Sequence, residues 1–325
     1  MANSGGRLLT TTLIVGGCVL LGIVAMILVY REPIKAEKKD PMARNLWVAP
    51  DTSQIPKGPE GQLIRYGRDL IARTSYYLGP NGTVAKSTNG MNCQNCHLDA
   101  GTRPFGNNYG SVASLYPKFR ARSGGLESIE KRVNDCLMRS LHGEPIDSLS
   151  PEMRGMIAYF MWLGKDVPKG QPAAGSGLKP MAWLDRAADP TKGKRLYLQK
   201  CQVCHGNDGM GLKISEKGPY IYPPLWGDHS FTTAAGLYRI SNFARYTLTN
   251  MPFGATHEKP VLTEEQSWDI AAFVLSQPRP DKRFKQDWPN ILLKPVDHPF
   301  GPFADNFSET QHKYGPFGEM VSGKK

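Results

Sequence analysis

The chain carries CxxCH twice, as Cys93, Cys96, His97 and as Cys201, Cys204, His205, with Cys136 unpaired between them. Paired thiols at this spacing add to the vinyl groups of a porphyrin, and the following His is placed to coordinate iron from the proximal side. Two copies call for two covalently bound haem c groups. Other uses of paired thiols fit less well. Four thiolates make a closed zinc site, but zinc has no need of a His directly after each second Cys. A disulfide framework leaves one of the five cysteines beyond Cys18 over, and 325 residues bury cores without covalent staples.

Two well-separated motifs in a chain of this length predict two domains with appendages. From Leu8 to Tyr30 the sequence is apolar and uncharged, long enough to cross a hydrocarbon core of ~30 Å as a helix. Residues 1–30 are read as an N-terminal membrane anchor. A signal peptide is the alternative, and Val15-Gly16-Gly17-Cys18 loosely resembles a lipoprotein cleavage site, yet about a dozen apolar residues follow Cys18 and no Ala-x-Ala site closes the run. Flanking charge orients the segment weakly. Bacterial haem attachment takes place outside the cytoplasmic membrane, so the bulk of the chain is expected on the periplasmic side. The whole chain carries +11, and residues 1–30 hold a single cation, Arg7, and no acid. A basic body favours anionic partners, and the compartment excludes nucleic acid.

The charged, proline-rich stretch 31–60 reads as a linker. A first domain over 61–166 has helical character from Gly67 to Ser75, and Ser150-Pro151-Glu152 opens a second helix through Met153 to Leu163, with Ser as N-cap and Pro at the first position. Residues 167–190, rich in Gly, Ser and Pro, read as a flexible connection. In the second domain, 191–280, a helix over Lys192 to Lys200 leads into Cys201, and Thr263-Glu264-Glu265-Gln266 is a capping box opening a helix to about Leu275. Trp268, Ala271, Ala272 and Leu275 recur on it at helical spacing. The order helix, CxxCH, loops, Met-Pro, helix resembles class I cytochrome c, so the expected fold is mostly α, with two such domains. The tail, 281–325, is too aromatic for disordered filler and is expected to wrap along them.

Met251-Pro252 lies 46 residues after His205, where a cytochrome c domain supplies its second axial ligand, and His229 and His257 compete for that role. His/Met ligation raises the haem potential, which suits an outward relay. The first domain has no such Met-Pro. Instead Leu126 to Leu141 reads as a helix with Leu126, Ile129, Val133 and Leu137 on one stripe. Arg132, Cys136 and Ser140 fall at i−4, i and i+4, which sets guanidinium, sulfur and hydroxyl on one face. Six cations against three acids between Lys118 and Arg139 favour thiolate at Cys136. A buried, inert Cys136 is the bland alternative. Met138 and His142 are rival ligands.

Arg120-Ala121-Arg122-Ser123, the run from Arg132 through Cys136 to Ser140, both CxxCH motifs and Met251-Pro252 together resemble the thiosulfate dehydrogenase family of dihaem cytochromes, from about residue 60 to the tail. That family couples two thiosulfates into tetrathionate, or runs in reverse. The resemblance implies His97 and Cys136 as ligands of a catalytic haem, His205 and Met251 as ligands of an electron-transfer haem, and Arg122, Arg132 and Ser140 around the sulfur oxyanion. Asn250 stands where some members carry a Lys that serves as an alternative ligand, so redox-linked ligand exchange is not expected. The implied partners are thiosulfate, tetrathionate and an external periplasmic acceptor, a small cytochrome or iron-sulfur protein. Rival functions are a membrane-tethered electron carrier without substrate, a subunit resembling the dihaem component of the multienzyme thiosulfate-oxidising system, and a dihaem peroxidase.

Overall fold

Each CxxCH motif sits beside a pair of crossed helices, and the two pairs are built alike. The structure, a computed structural model, describes residues 45–216 and 218–323. The proposed anchor, residues 1–30, lies outside these. Among the described residues no helix is long and apolar enough to cross a membrane. The first half holds α1 (Pro59–Ala72), α2 (Ile129–Arg139) and α3 (Pro151–Leu163); the second holds α4 (Pro190–Lys200), α5 (Ile240–Asn250) and α6 (Glu264–Ser276). Two antiparallel ribbons, β1 (Lys118–Arg120) with β2 (Gly125–Glu127) and β3 (Leu212–Lys213) with β4 (Tyr220–Tyr222), interrupt the helices.

Local chemistry places the helix ends. Ser150 accepts from the Met153 N–H at 3.2 Å and Pro151 opens α3, as expected. Thr263 and Gln266 form the reciprocal capping box of α6, at 3.1 and 3.2 Å. At α4, Asp189 accepts from Thr191 and Lys192, which starts the helix two residues before Lys192. In both pairs a glycine permits the crossing. A Cβ on Gly67 of α1 would stand 1.9 Å from the Gly155 carbonyl oxygen of α3, and one on Gly193 of α4 would stand 1.9 Å from the Asp269 carbonyl oxygen of α6. Only glycine lets these backbones approach so closely.

Three expectations change. The helix read over Leu126 to Leu141 runs only from Ile129 to Arg139, because Ser128 caps it by accepting from the Lys131 N–H. Leu126 pairs with Phe119 across the β1–β2 ribbon and is 73% exposed, so the apolar stripe is Ile129, Val133 and Leu137. Residues 45–58, within the stretch read as a linker, lie on the body: the Trp47 N–H donates to the Ala174 carbonyl and Ile55 is buried. The connection at 167–190, read as flexible, is tied to the first half by Phe105 N–H to Gly175 O at 2.7 Å, Asn107 N–H to Gly177 O at 3.0 Å and Ser114 Oγ to Gln171 O at 2.6 Å. Glycine and serine there serve backbone pairing.

The tail is structural. Phe317 is fully buried between Trp183 and Trp268, and Asp297 is buried where it accepts from Arg239 and Ser241. Short helices α7 (Glu309–Tyr314) and α8 (Gly318–Ser322) end the described chain. The first half packs a core of its own around Ile64, Leu70, Ile71, Met156 and Tyr159, and a second cluster joins the halves, with Met91, Leu137 and Leu141 against Tyr197, Phe243 and Trp268. Direct bonds cross between them: Tyr246 Oη to Asn95 O at 2.7 Å, and Asn250 Nδ2 to Phe105 O at 3.2 Å. The second of these occupies the Asn250 side chain.

Candidate active site

Each motif lines a largely apolar cavity with two thiols and an imidazole. In the second half Cys201, Cys204, His205 and Met251 face a space of about 730 Å³. His205 Nδ1 donates to the Pro223 carbonyl at 2.9 Å, which fixes the tautomer and leaves Nε2 free as a ligand. Burial keeps this imidazole below its usual pKa, hence neutral and ready to bind metal. Met251 follows the last residue of α5. His257 lines the same cavity, whereas His229 is exposed and does not.

The first half repeats the imidazole arrangement. His97 Nδ1 donates to the Asn107 carbonyl at 2.6 Å, and its ring stacks on Tyr109 at 4.5 Å. Asn107 holds positive φ, as does Phe105, and the loop so formed aims its carbonyl at the ring. The Cys93 N–H donates to Thr74 Oγ1 at 2.9 Å. Burial pushes the Cys93 thiol up to about 11 and the Cys96 thiol up to about 12. Cys96 also borders the second cavity, so one attachment residue is shared wall between the two. Two thiols, an imidazole whose Nδ1 is held by a backbone carbonyl and apolar walls fit a covalently attached haem in each cavity.

What faces His97 is different. Cys136, on α2, lines the first cavity together with Arg132 and Ser140, one turn before and one turn after it. Burial pushes the Cys136 thiol up, but the Arg132 charge and the His97 side chain pull it down to about 7. In one cavity, then, Cys136 is the thiol poised to ionise while Cys93 and Cys96 are not. The Cys136 charge in turn holds Arg132 above its usual pKa despite burial. Met138 and His142 do not line the cavity.

Beyond Cys136 the space widens to a cavity of about 360 Å³ edged by Arg120, Arg122, Arg132 and Ser140. Arg122 rides the turn between β1 and β2. Burial, with repulsion from Arg139 and Arg132, lowers its pKa to about 10. Among the described residues neither Arg122 nor Arg132 has a carboxylate within ion-pair distance, while Arg139 is paired with Asp287 at 2.6 Å. With only the Cys136 sulfur beside Arg132 and no carboxylate paired to either guanidinium among the described residues, this pocket is short of negative charge. Cys136, Arg122, Arg132 and Ser140 are thus brought together, next to His97. Sequence reasoning missed Tyr116 on the cavity wall and Asp287 and Trp288 at its mouth. For the last two, the aromatic tail was the available signal.

Fold and site define a cytochrome of the c type with two cytochrome c domains, the first carrying a cysteine and an arginine cluster opposite its histidine. Residues 83–168 match the family described as SoxA/TsdA, cytochrome c domain, and residues 188–274 match cytochrome c oxidase, cbb3-type, subunit III. The chain is 36% identical over 244 residues to a thiosulfate dehydrogenase of Psychrobacter arcticus, covering 74% of this chain and 71% of that protein. To one of Allochromatium vinosum it is 37% identical over 235 residues, covering 71% and 83%. It also resembles the solved thiosulfate dehydrogenase TsdBA of Marichromatium purpuratum in its as-isolated form, with a TM-score of 0.65 and 25% identity, over 72% of this chain and 50% of that one. The chain thus spans about half the length of that solved protein. It belongs to the thiosulfate dehydrogenase family.

Proposed function

We propose that the protein is a dihaem enzyme that joins two thiosulfates into tetrathionate and passes two electrons to an external acceptor. The observation that carries this is the pair of carboxylate-free guanidinium groups, Arg122 and Arg132, beside an ionisable cysteine that shares its cavity with His97. An oxyanion supplies the missing charge through charge-assisted hydrogen bonds, and Ser140 adds a hydroxyl donor. Haem c, when bound, supplies one-electron acceptance and a relay between the two cavities. His97 and Cys136 would hold the iron in the first, His205 and Met251 in the second, with Cys93, Cys96, Cys201 and Cys204 as the attachment thiols.

In the reaction, the Cys136 thiolate and the terminal sulfur of one thiosulfate form a sulfur–sulfur bond as two electrons leave. A second thiosulfate then attacks that bond, releasing tetrathionate and returning Cys136 as thiolate. Charge balances at both steps, and no proton is required. Arg122 and Arg132 hold the sulfonate ends and offset the repulsion between two dianions. Running backwards, the same groups would reduce tetrathionate. The acceptor is a small acidic redox protein, favoured by the +11 charge of the chain. Covalent haem attachment, which takes place outside the cytoplasmic membrane, supports a body on the periplasmic side with the Leu8 to Tyr30 segment as its anchor.

Steady-state assay of the purified dihaem protein tests the reading. With thiosulfate and an artificial acceptor, one tetrathionate is expected for every two thiosulfates consumed; with tetrathionate and a reduced donor, the reverse. Absence of both turnovers in protein carrying its full haem complement would sink it.

A further inference from the structure

The tail forms a strap across the mouth of the arginine pocket. The Asp287 carboxylate receives two bonds from Arg139, at 2.6 and 2.8 Å. The next residue, Trp288, donates its backbone N–H to the Arg122 carbonyl at 2.7 Å, and its ring lies 5.8 Å from the Arg122 guanidinium carbon. A Cβ added to Gly124, in the same turn as Arg122, would fall 2.5 Å from Pro289 Cγ. Three successive tail residues therefore grip α2 and the β1–β2 turn. Trp288 has φ +62°, a left-handed conformation that bulky residues avoid, so the surroundings impose it. Its indole N–H is buried without a hydrogen-bond partner among the described residues, so backbone and ring-face contacts fix the ring. That ring, with Leu293 and Pro295, forms the tail side of the pocket.

We propose that Trp288 is a specificity-determining wall of the anion pocket, and that through its contacts with Arg122 it positions that guanidinium for small sulfur oxyanions. This deepens the thiosulfate reading and rests on it. At 5.8 Å the ring is within cation–π reach of the guanidinium and takes none of its N–H donors, which stay available to an oxyanion. Asp287, which does not line the pocket, pairs with Arg139 and so leaves Arg122 and Arg132 to the ligand. The indole closes the side through which a larger organic sulfonate would otherwise project.

The test compares Trp288→Ala and Trp288→Phe with the wild-type dihaem protein. The probes are thiosulfate in turnover, and sulfate and benzenesulfonate as inert ligands in calorimetry. For Trp288→Ala the thiosulfate KM should rise about tenfold and sulfate bind about tenfold more weakly, as expected for loss of a partly desolvated cation–π contact. Benzenesulfonate should bind more tightly than to wild type, kcat should fall by less than KM rises, and haem content should not change. Trp288→Phe should recover most of the loss. A wild-type KM with wild-type sulfate and benzenesulfonate affinities in a folded, haem-replete Trp288→Ala would overturn the proposal, as would equal losses for sulfate and benzenesulfonate together with an equal loss in kcat. Should Trp288→Ala fail to fold, Trp288→Phe and Trp288→Leu are ranked by the same measurements. If wild type does not turn over thiosulfate, the functional reading fails, and the sulfate and benzenesulfonate comparison still decides the role of Trp288.

Discussion

The two halves hold their imidazoles in the same way, each Nδ1 donating to a backbone carbonyl, Asn107 for His97 and Pro223 for His205, and each beside a helix crossing made possible by a glycine. They part at the opposite wall. The second half presents the Met251 thioether just after α5, in a cavity whose described lining includes Arg103 and Lys200 but none of Arg120, Arg122 and Arg132. The first presents Cys136 from the middle of α2, with Arg132 and Ser140 a turn to either side and Arg122 reaching in from the ribbon. Under the proposed function, one helical frame serves as an electron relay or as a catalytic pocket according to what a single helix and one turn place opposite a common histidine. Electrostatics does the rest: burial is the chief cause raising the thiols of Cys93 and Cys96, and at Cys136 the Arg132 cation and His97 outweigh it.

The sharpest way to break the comparison is to make the first site like the second. Cys136→Met is expected to abolish thiosulfate turnover by at least about 10³-fold, because the sulfur nucleophile is lost. Both haems should stay attached, and the visible spectrum of the first should approach that of the second; near-normal activity would mean the sulfur chemistry lies elsewhere. Arg132→Gln removes one charge-assisted contact and should raise the thiosulfate KM about 10- to 100-fold, the equivalent of roughly 1.5–3 kcal/mol. It should also reduce Cys136 ionisation, since Arg132 is the chief group lowering its pKa. The linkage has a definite sign: without that cation the Cys136 thiol titrates higher, so thiolate is lost at neutral pH and regained only as pH rises. In protein denied haem, Cys136 should be alkylated more slowly at neutral pH in Arg132→Gln than in the wild type, and equal rates would contradict the role of that cation. The smallest effect concerns what the halves share. Gly67→Ala and Gly193→Ala should each cost about 1–3 kcal/mol by forcing crossed backbones apart. Similar losses in thermal unfolding would confirm one frame used twice, and a loss confined to one half would end the comparison.

Much of this was legible in the chain. The CxxCH pairs, Ser150-Pro151 and Thr263 to Gln266 work through contacts within a few residues, so their spacing carries their meaning. The grouping of Arg132, Cys136 and Ser140 follows from helix periodicity alone. Leu126 was misplaced because the two glycines before it and the cap at Ser128 outweigh an apolar residue at the right interval. The connection at 167–190 looked loose because composition reports intrinsic freedom, and its backbone bonds to Phe105 and Asn107 are made to residues about 70 positions away. Trp288 was out of reach for the same reason, being more than 160 residues from Arg122.

By itself the sequence determined the two attachment sites, the helices that flank them and the face shared by Cys136 with its neighbours, all set by short-range geometry and propensity. Tertiary structure alone decided that Arg122 joins that face, that Arg139 is spent on Asp287, that Cys96 borders both cavities and that Trp288 closes the pocket. Those are pairings between distant segments, selected by which buried charges find partners and which backbones can approach, and no local interval records them.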